Sequence, residues 1–300
     1  MFSKVLIVCN PSAGKGESPR YGELLAKQLK EHYGAVCHIK ISQSAEDIYR
    51  ECMTASNRGY KTVICLGGDG TLTLAANGLM QNSERPIFGF IPLGTANDLA
   101  RALKLNLNPN QLIEEYSKVT TKFIDVGRIN DEYFINVVAI GALPDTVMNT
   151  SSEDKERMGF MAYVREGVQT FFDQDGMTLR IQSMEGELHQ LTTNLVIVGL
   201  TNSVGSFQQM IPHAKVDDGL IHLIAVKGDT TLDTIRAAVD YKRDTTDQSH
   251  YLTLSSQKIT IEQVDGMERF VNVDGNSGPV LPIELEALPS ALQVIVPQGE

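Results

Sequence analysis

The hydrophobic pattern of the first 125 residues alternates short apolar runs with longer segments in which apolar residues recur every three or four positions. The short runs predict β-strands at Lys4–Cys9, Ala35–Ile41, Thr62–Leu66 and Ile87–Ile91. The longer segments predict helices at Tyr21–Glu31, Ala45–Asn57, Thr71–Leu79, Asn97–Leu103 and Asn110–Lys118. Because strands that alternate with helices form a parallel sheet with helices on its faces, this half of the chain predicts an α/β domain.

From Phe123 onward the pattern changes to short apolar runs separated by Gly, Asp and Asn. These runs predict strands at Tyr133–Ile140, Met177–Gln182, Asn194–Leu200, Leu220–Val226 and Lys258–Gln263. Two helical segments interrupt them, at Asp154–Phe172 and at Leu232–Tyr241. Closely spaced strands with turn residues between them are typical of an antiparallel, all-β sandwich-like domain.

The length of the chain and its tail predict the domain organisation. A chain of 300 residues exceeds what one hydrophobic core usually holds. The tail from Pro282 to Val296 is apolar again, so we expect it to return to the first domain. The expected fold is an α/β domain with a parallel sheet, formed by residues 1–125 with 283–300, plus an all-β sandwich-like domain at 126–282.

Charge is distributed unevenly between the two halves of the chain, which carries a net charge of −11. Residues 1–125 contain 14 basic and 12 acidic side chains, whereas residues 126–300 contain 12 basic and 25 acidic ones. The acidic balance argues against a nucleic-acid partner, which would need an excess of basic side chains. It also predicts that the second half does not adhere to anionic membranes by bulk charge alone.

Cysteine spacing and the lack of targeting segments predict a cytoplasmic protein. Cys9, Cys37, Cys52 and Cys65 form no CxxC pair and have no histidine at metal-ligand spacing beside them. The N-terminus lacks the charged leader and cleavage context of a signal peptide. The longest uncharged stretch, residues 191–214, is interrupted by polar residues and proline, so no transmembrane segment is expected.

Three glycine-rich segments each follow a predicted strand of the first domain. The first, NPSAGKG, ends in Lys15 and Gly16; glycine lets backbone N–H groups approach phosphate oxygens, and the lysine adds a positive charge. It is not a Walker A motif, because a glycine rather than Ser or Thr follows the lysine. A plain strand-to-helix turn remains the alternative for this segment.

The second and third glycine-rich segments each contain one acidic residue, Asp69 and Asp98. Gly67-Gly68-Asp69-Gly70-Thr71 lies between a strand and a helix, which excludes a hairpin turn and favours close approach of the backbone to a ligand. Pro92-Leu93-Gly94-Thr95-Ala96-Asn97-Asp98 also leads into a helix, where Thr95 and Asn97 can act as caps. Loops at the carboxyl ends of neighbouring parallel strands meet, so the three predict one site for a polyphosphate with Mg²⁺.

NPSAGKG, GGDGTL and IPLGTANDLAR, in that order and spacing, resemble the diacylglycerol kinase catalytic-domain family, and in particular its soluble bacterial lipid kinases. The resemblance continues through YFINVVAIGA, KERMGFMAYVREG, LTNSVG, MIPHAKVDDGL and NVDG, so it covers nearly the whole chain. NAD kinases share a GGDGT-type loop, but PLGTxND followed by Leu-Ala-Arg indicates the lipid kinases. The resemblance implies an ATP-binding domain, a sandwich that contributes to lipid binding, and a cleft between them.

Carried over position by position, the resemblance implies the residues that bind ATP and Mg²⁺. Asp69 would hold the Mg²⁺ network beside the γ-phosphate, and Asp98 would assist it. The family also has a hydroxyl after the second strand, for which Ser42 is the matching position in a shortened loop. The implied ATP-binding residues are Asn10, Pro11, Ser12, Ala13, Gly14, Ser42, Gly67, Gly68, Asp69, Gly70, Thr71, Leu72, Thr73 and Thr95.

The resemblance also implies a structural Mg²⁺ site in MIPHAKVDDGL. Its ligands would be the carboxylate of Asp218 and the backbone carbonyls of Lys215 and Leu220. From the residues alone, Asp217-Asp218-Gly219 reads as a turn, and only the resemblance favours the metal.

The main departure from the family concerns the general base. In family members a glutamate follows NVDG and takes the proton from the lipid hydroxyl, whereas this chain has Asn276. An amide cannot accept a proton at neutral pH, although it can hydrogen-bond a hydroxyl. Losing a general base costs about 10²–10⁴-fold in rate, yet phosphoryl transfer relies mainly on positioning, so residual activity is compatible with the change.

Three functions therefore stay open from the sequence. The first is an ATP- and Mg²⁺-dependent kinase that phosphorylates diacylglycerol or a similar lipid alcohol. The second is a nucleotide- and lipid-binding regulator impaired by Asn276. The third is an NAD-kinase-like enzyme for a small soluble alcohol. For the first, the expected partner is a lipid at the inner membrane surface, met by local peripheral contact, and the resemblance makes a homodimer plausible.

Overall fold

The chain folds into two compact units, which we describe from a computed structural model covering residues 1–141, 176–205, 207–208, 210–242, 249–266 and 268–298. The first unit contains residues 1–126, 132–135 and 289 to the C-terminus. The second contains residues 127–131 and 136–288. The helix predicted at Asp154–Phe172 lies outside the described residues.

The first unit is built on a parallel sheet. Its strands are β1 (Lys4–Cys9), β2 (Val36–Ile41), β3 (Thr62–Gly67) and β4 (Ile87–Pro92), in the order β2-β1-β3-β4. The last part of β18 (Ile283–Pro297) lies parallel to β4, with Val294 opposite Phe88. Strands β1, β3 and β4 are almost fully buried, as expected for a parallel sheet covered on both faces.

Five helices of this unit connect or follow the strands, and each lies where the sequence predicts one. They are α1 (Ser18–Tyr33), α2 (Ala45–Met53), α3 (Asp69–Met80), α4 (Asp98–Ala102) and α5 (Pro109–Glu115). Local signals explain their ends: Ser44 accepts the Asp47 N–H to cap α2, and Gly34 ends α1 in a left-handed conformation, with a φ of 64°. The α/β fold predicted for this part of the chain is confirmed.

The second unit contains two groups of antiparallel strands. One has the order β14-β13-β10-β7-β16-β17. Its strands are β7 (Val137–Gly141), β10 (Leu195–Gly199), β13 (Ile221–Val226), β14 (Tyr251–Ser256), β16 (Phe270–Val273) and β17 (Asn276–Val280). The other joins the first part of β18 to β15 (Lys258–Gln263), β8 (Met177–Ser183) and β9 (Leu188–Thr193). The predicted antiparallel β-sandwich is therefore confirmed.

Further elements complete the two units. Helix α6 (Thr231–Lys242) connects β13 to β14, close to the predicted Leu232–Tyr241, and a short hairpin joins β11 (Ser203–Val204) to β12 (Phe207–Gln208). Strand β5 (Val119–Ile129) pairs with β18 and with β6 (Glu132–Phe134). The run predicted as one strand at Tyr133–Ile140 is divided into β6 and β7 at residues 135–136, where the chain passes from the first unit to the second.

An acidic residue at the start of α2 fixes the loop that follows β2. The carboxylate of Asp47 accepts the Gln43 N–H at 3.1 Å and pairs with Arg50 at 2.6 Å and Lys40 at 3.3 Å. The Gln43 N–H, and then the hydrogen bonds from Arg50 and Lys40, lower the pKa of Asp47. A lowered carboxyl pKa stabilises the fold above the unfolded-state value, and this stabilisation is lost as the pH falls through the folded-state value.

Replacing Asp47 with Asn should lower the melting temperature at pH 7, because the charged acceptor of these bonds is removed. The difference from the wild type should shrink as the pH falls from about 5 toward 2, where the wild-type carboxylate is itself protonated. Thermal unfolding followed across this pH range measures it, with Glu46→Gln as the control at an exposed neighbouring acid. A difference in melting temperature that stays constant down to pH 2 would contradict the stabilising role of the Asp47 carboxylate.

Candidate active site

The loops that follow β1, β3 and β4 lie together at the carboxyl edge of the parallel sheet. The Asn10 N–H donates to the Leu66 carbonyl at 3.0 Å, and the Leu93 N–H donates to the Gly67 carbonyl at 2.8 Å. The Asn10 side-chain amide donates to the Thr71 hydroxyl at 2.9 Å. The three glycine-rich segments are therefore one connected surface of the first unit.

Asp69 joins the second loop to the third. Its Oδ2 accepts the Asn97 N–H at 2.8 Å, and its Oδ1 accepts the Asp98 N–H at 2.9 Å. Hydrogen bonds from backbone N–H groups to a carboxylate are stronger than neutral ones, and two of them fix the orientation of the side chain. Asp69 is also the first residue of α3, where a negative charge is favourable.

Asn97 holds the third loop in a tight turn. Its backbone is left-handed, with φ 53° and ψ 45°, a conformation that asparagine tolerates better than most residues. Its side chain accepts the Gly94 N–H at 2.9 Å and donates to the Gly94 carbonyl at 2.8 Å. The expected capping role of Asn97 is thus wrong in one respect: its side chain bonds back to the loop and makes no capping bond to α4.

Two glycines let the second and third loops approach closely. A Cβ at Gly94 would lie 2.7 Å from the Gly68 Cα, and a Cβ at Gly68 would lie 3.0 Å from the Gly94 Cα. No other residue type fits this contact without moving the backbone. The close packing leaves Gly94 and Thr95 at the exposed surface of the site.

The first loop has an unusual backbone. Gly14, Lys15 and Gly16 all have positive φ values, of 60°, 56° and 86°. Asn10 orders the beginning of this loop, since its Oδ1 accepts the Ser12 N–H at 3.1 Å and its carbonyl accepts the Ala13 N–H at 3.1 Å. Ser12 and Lys15 are exposed, so this turn presents a hydroxyl and a cationic side chain at the surface.

The remaining residues of the predicted ATP set occupy different environments. Thr71, Leu72 and Thr73 are buried in the first turns of α3, and the Thr73 hydroxyl donates to the Asp69 carbonyl at 3.1 Å. Ser42 is buried as well, and its hydroxyl donates to the Cys9 carbonyl at 3.2 Å. Asp98 lies in the first turn of α4 and is only 5% exposed.

In the second unit, Asp274 of the NVDG motif is a structural anchor. Its Oδ1 accepts the Asn136 N–H at 3.0 Å and the Val137 N–H at 2.8 Å, and its own N–H donates to the Val137 carbonyl at 2.9 Å. Asp274 is buried and has a φ of 48°. These bonds attach the turn between β16 and β17 to the start of β7.

Asn276 follows that turn as the first residue of β17. It is exposed and lies opposite Val273 in the β16–β17 pair. The position at which the resemblance implies a glutamate is therefore on the surface of the second unit, next to a turn that Asp274 holds in place.

Asp218 organises the loop before β13. Its Oδ2 accepts the Lys215 N–H at 2.9 Å and lies 3.0 Å from His222 Nε2, while its Oδ1 accepts the Leu220 N–H at 3.0 Å. The other ring nitrogen of His222 lies 2.8 Å from the Ser255 hydroxyl. His222 was not singled out in the sequence, although its spacing of four residues from Asp218 was visible there.

The donor set around Asp218 is compatible with the implied Mg²⁺. A carboxylate has about four acceptor positions, and the contacts of Asp218 with Lys215, His222 and Leu220 use three of them, two on Oδ2 and one on Oδ1. A single carboxylate with backbone carbonyls is an all-oxygen set of the kind that Mg²⁺ prefers. Within the described ranges, no three His, Cys, Asp or Glu side chains gather as metal ligands.

Comparisons with known proteins match both halves of the chain. A family model described as diacylglycerol kinase catalytic domain matches residues 4–129, and one described as YegS C-terminal NAD kinase beta sandwich-like domain matches residues 136–296. A Staphylococcus carnosus protein named diacylglycerol kinase is 30% identical over 99% of this chain and 96% of its own length. A Staphylococcus aureus protein of the same name is 30% identical over 99% and 93%.

Solved structures show the same fold. A Bacillus anthracis structure, whose protein carries the provisional name diacylglycerol kinase, aligns with a TM-score of 0.80 at 26% identity. The alignment covers 98% of this chain and 94% of that one. A second structure from the same organism aligns with a TM-score of 0.81 at 27% identity. In the part of the chain described, no helix has the length and apolar character needed to span a membrane.

Replacing Gly94 with Ala should destabilise the loop contact, because the added methyl group would overlap the Gly68 backbone and crowd the Asn97 side chain, 3.0 Å away. Overpacking of this kind costs about 1–3 kcal/mol. Thermal unfolding measures the loss, with Ser83→Ala as the control at an exposed loop position. An unchanged melting temperature for Gly94→Ala would mean that the two loops are not in close contact.

Proposed function

Because this chain belongs to the diacylglycerol kinase family, we propose that it is a lipid kinase that transfers the γ-phosphoryl group of ATP to the hydroxyl of diacylglycerol, or of a similar lipid alcohol, to give phosphatidic acid. The observation that supports this proposal most strongly is the bonding of Asp69 to two backbone N–H groups of the third loop. Together with the bonds from Asn10 to Leu66 and Thr71, this bonding holds the three glycine-rich segments as one surface. Such a surface suits a reaction that depends on positioning and charge.

The first unit would bind ATP through these loops. Gly14, Lys15 and Gly16 form a left-handed turn. This turn brings its backbone and the Lys15 charge to the surface, where both can bind phosphate oxygens. Thr95 is exposed on the third loop and would bind a phosphate oxygen with its hydroxyl. Ser42 would contribute least, since its hydroxyl is already bonded to the Cys9 carbonyl.

Asp69 and Asp98 would hold the Mg²⁺ that accompanies the nucleotide. When bound, the metal neutralises charge that develops on the transferred phosphoryl group. Each oxygen of Asp69 accepts one backbone N–H, which fixes the orientation of the carboxylate between the second and third loops. In the second unit, Lys215, Asp218 and Leu220 would hold a separate structural Mg²⁺ with one carboxylate and two carbonyls.

Asn276 favours a second candidate, a nucleotide- and lipid-binding regulator with little catalytic activity. Asp274 is a poor replacement for the base, since its carboxylate binds two backbone N–H groups inside the turn. Asp69 is the better proton acceptor, because its carboxylate lies where the loops proposed to bind ATP meet. We favour the kinase, with Asn276 orienting the lipid hydroxyl by a hydrogen bond.

The lipid substrate and the charge of the chain suggest where the enzyme works. We propose a cytoplasmic protein that touches the inner membrane surface only locally and acts as a homodimer. Residues 126–300 carry 12 basic and 25 acidic side chains, so bulk charge does not draw them to an anionic surface.

The kinase proposal predicts that the wild-type protein transfers phosphate from radiolabelled ATP to diacylglycerol in mixed micelles when Mg²⁺ is present. Asp69→Ala should reduce this rate by at least about 10²-fold, because it removes both the loop contact and the metal ligand. Asn276→Glu should raise it, since a carboxylate is restored at the position of the base, an effect worth about 10²–10⁴-fold in enzymes that use one.

The control for these measurements is Glu46→Gln, an exposed acid away from the three loops, which should leave turnover unchanged. Near-zero turnover by the wild type with a large gain in Asn276→Glu would support the regulator. Formation of NADP from NAD without any lipid would instead support a small-molecule kinase. Either result would overturn the lipid-kinase proposal for the natural sequence.

A further inference from the structure

A buried histidine connects Asp218 to the strand next to β13. His222 lies on β13, directly opposite Gly199 of β10 and Ser255 of β14, and it is only 6% exposed. Its Nδ1 lies 2.8 Å from the Ser255 hydroxyl, and its Nε2 lies 3.0 Å from Oδ2 of Asp218. Both ring nitrogens are therefore hydrogen-bonded, and the proposed phosphoryl transfer uses neither His222 nor Ser255.

The carboxylate determines which ring nitrogen carries the hydrogen. An ionised carboxylate accepts hydrogen bonds and cannot donate them, so Nε2 of His222 is the donor to Asp218. In the neutral ring Nδ1 is then the acceptor, and the Ser255 hydroxyl donates to it. The hydrogen bonds thus run in one direction, from Ser255 through His222 to Asp218, and they fix the ring at both of its nitrogens.

The sheet keeps the imidazole in place. Side chains that lie directly opposite each other on antiparallel strands share one face of the sheet, as His222 and Ser255 do. Gly199, the opposite residue on β10, has no side chain and so leaves space beside the ring. Asp218, in contrast, lies on the loop before β13. A side chain on a paired strand therefore orients a carboxylate on a loop.

His222 determines which oxygen of Asp218 stays open to a metal. Oδ2 accepts the Lys215 N–H at 2.9 Å in addition to the hydrogen bond from His222, and two bonds fill the usual capacity of one oxygen. Within the described part of the chain, Oδ1 accepts the Leu220 N–H at 3.0 Å and keeps one further position. The carboxylate can therefore offer a metal one oxygen rather than two.

Coordination through one oxygen distinguishes Mg²⁺ from Ca²⁺. Mg²⁺ requires a small, nearly octahedral set of ligands, whereas Ca²⁺ takes more oxygens at longer distances and often binds both oxygens of a carboxylate. The proposed ligands in the second unit are Oδ1 of Asp218 and the backbone carbonyls of Lys215 and Leu220. With Oδ2 occupied by hydrogen bonds, this set favours the smaller ion.

We propose that His222, held by Ser255, is a positioning residue that makes the site at Asp218 selective for Mg²⁺ over Ca²⁺. This inference rests on the proposed structural Mg²⁺ of the second unit and adds to it the residues that determine its selectivity. Removing a group that is hydrogen-bonded to a metal ligand typically weakens metal binding by about 10–100-fold. His222 acts through the carboxylate of Asp218 and does not bind the metal itself.

The test measures binding of Mg²⁺ and of Ca²⁺ to the full-length protein by calorimetry, in the absence of nucleotide. Asp218→Asn identifies the binding that belongs to this site, which in the wild type should be tighter for Mg²⁺ than for Ca²⁺. His222→Leu should weaken Mg²⁺ binding by about 10–100-fold. Ca²⁺ binding should weaken much less, because the freed Oδ2 allows Ca²⁺ to use both oxygens.

Two further variants separate selectivity from a general supporting role. His222→Gln supplies an amide N–H in place of the ring N–H and should restore most of the preference for Mg²⁺. Ser255→Ala removes the donor to Nδ1 at an exposed position, so it should reduce the preference less than His222→Leu does. It also provides the test if the leucine variant fails to fold. The matched control is His213→Leu, the same substitution at an exposed histidine before β13, which should leave both affinities unchanged.

Equal losses of Mg²⁺ and Ca²⁺ affinity in His222→Leu and Ser255→Ala would overturn the inference, because a residue that only supports the fold weakens both metals alike. Unchanged affinities for both metals would overturn it as well. A wild-type protein that binds no Mg²⁺ through Asp218 would overturn the inference together with the structural metal site.

Turnover of diacylglycerol by the same preparations separates this inference from the kinase proposal. Turnover in a protein that binds no metal through Asp218 would leave the kinase proposal intact and overturn the role of His222. A preference for Mg²⁺ that depends on His222, in a protein without turnover, would support the inference while the proposed kinase function fails.

Discussion

The carboxylate of Asp69 makes the interaction on which the proposed nucleotide site depends. It is the first residue of α3, and it binds the backbone N–H groups of Asn97 and Asp98 with its two oxygens. The loop after β3 and the loop after β4 are thereby held against each other, and the contact between Gly68 and Gly94 becomes close enough to exclude any side chain. Asp69 thus serves both the fold and the proposed reaction, because the carboxylate that shapes the loops is also the proposed metal ligand and proton acceptor.

In the second unit, the carboxylates of two aspartates hold a turn and a loop in place. Asp274 attaches the turn before Asn276 to the start of β7, and Asp218 gathers the loop before β13 around its two oxygens. This use of Asp274 makes its carboxylate a poor substitute for the base that the proposed reaction needs beside Asn276. Part of the strong negative charge of this half of the chain therefore lies on Asp218 and Asp274, which make defined local contacts.

Much of the fold was predictable from the sequence because local patterns determine it. Strands β1, β3 and β4 are continuous apolar runs, of which β3 ends in glycine and β4 in proline, and α2 begins at a serine cap. Strand β5 was missed, because VTTKFIDVGRI alternates irregularly and is stabilised by pairing with a strand more than 150 residues later. The three loops were predicted as a group, but the turn of Asn97 back onto Gly94 and the burial of the Ser42 hydroxyl depend on tertiary contacts.

Hydrogen exchange with and without ATP and Mg²⁺ tests the central claim most directly, since it reports on the backbone N–H groups of the loops themselves. We predict that nucleotide slows exchange in residues 10–16, 67–73 and 93–98 together, because all three loops bind one polyphosphate. The same protection should be lost as a unit in Asp69→Ala. Protection confined to one loop, or none in these residues at nucleotide concentrations that support turnover, would contradict the account.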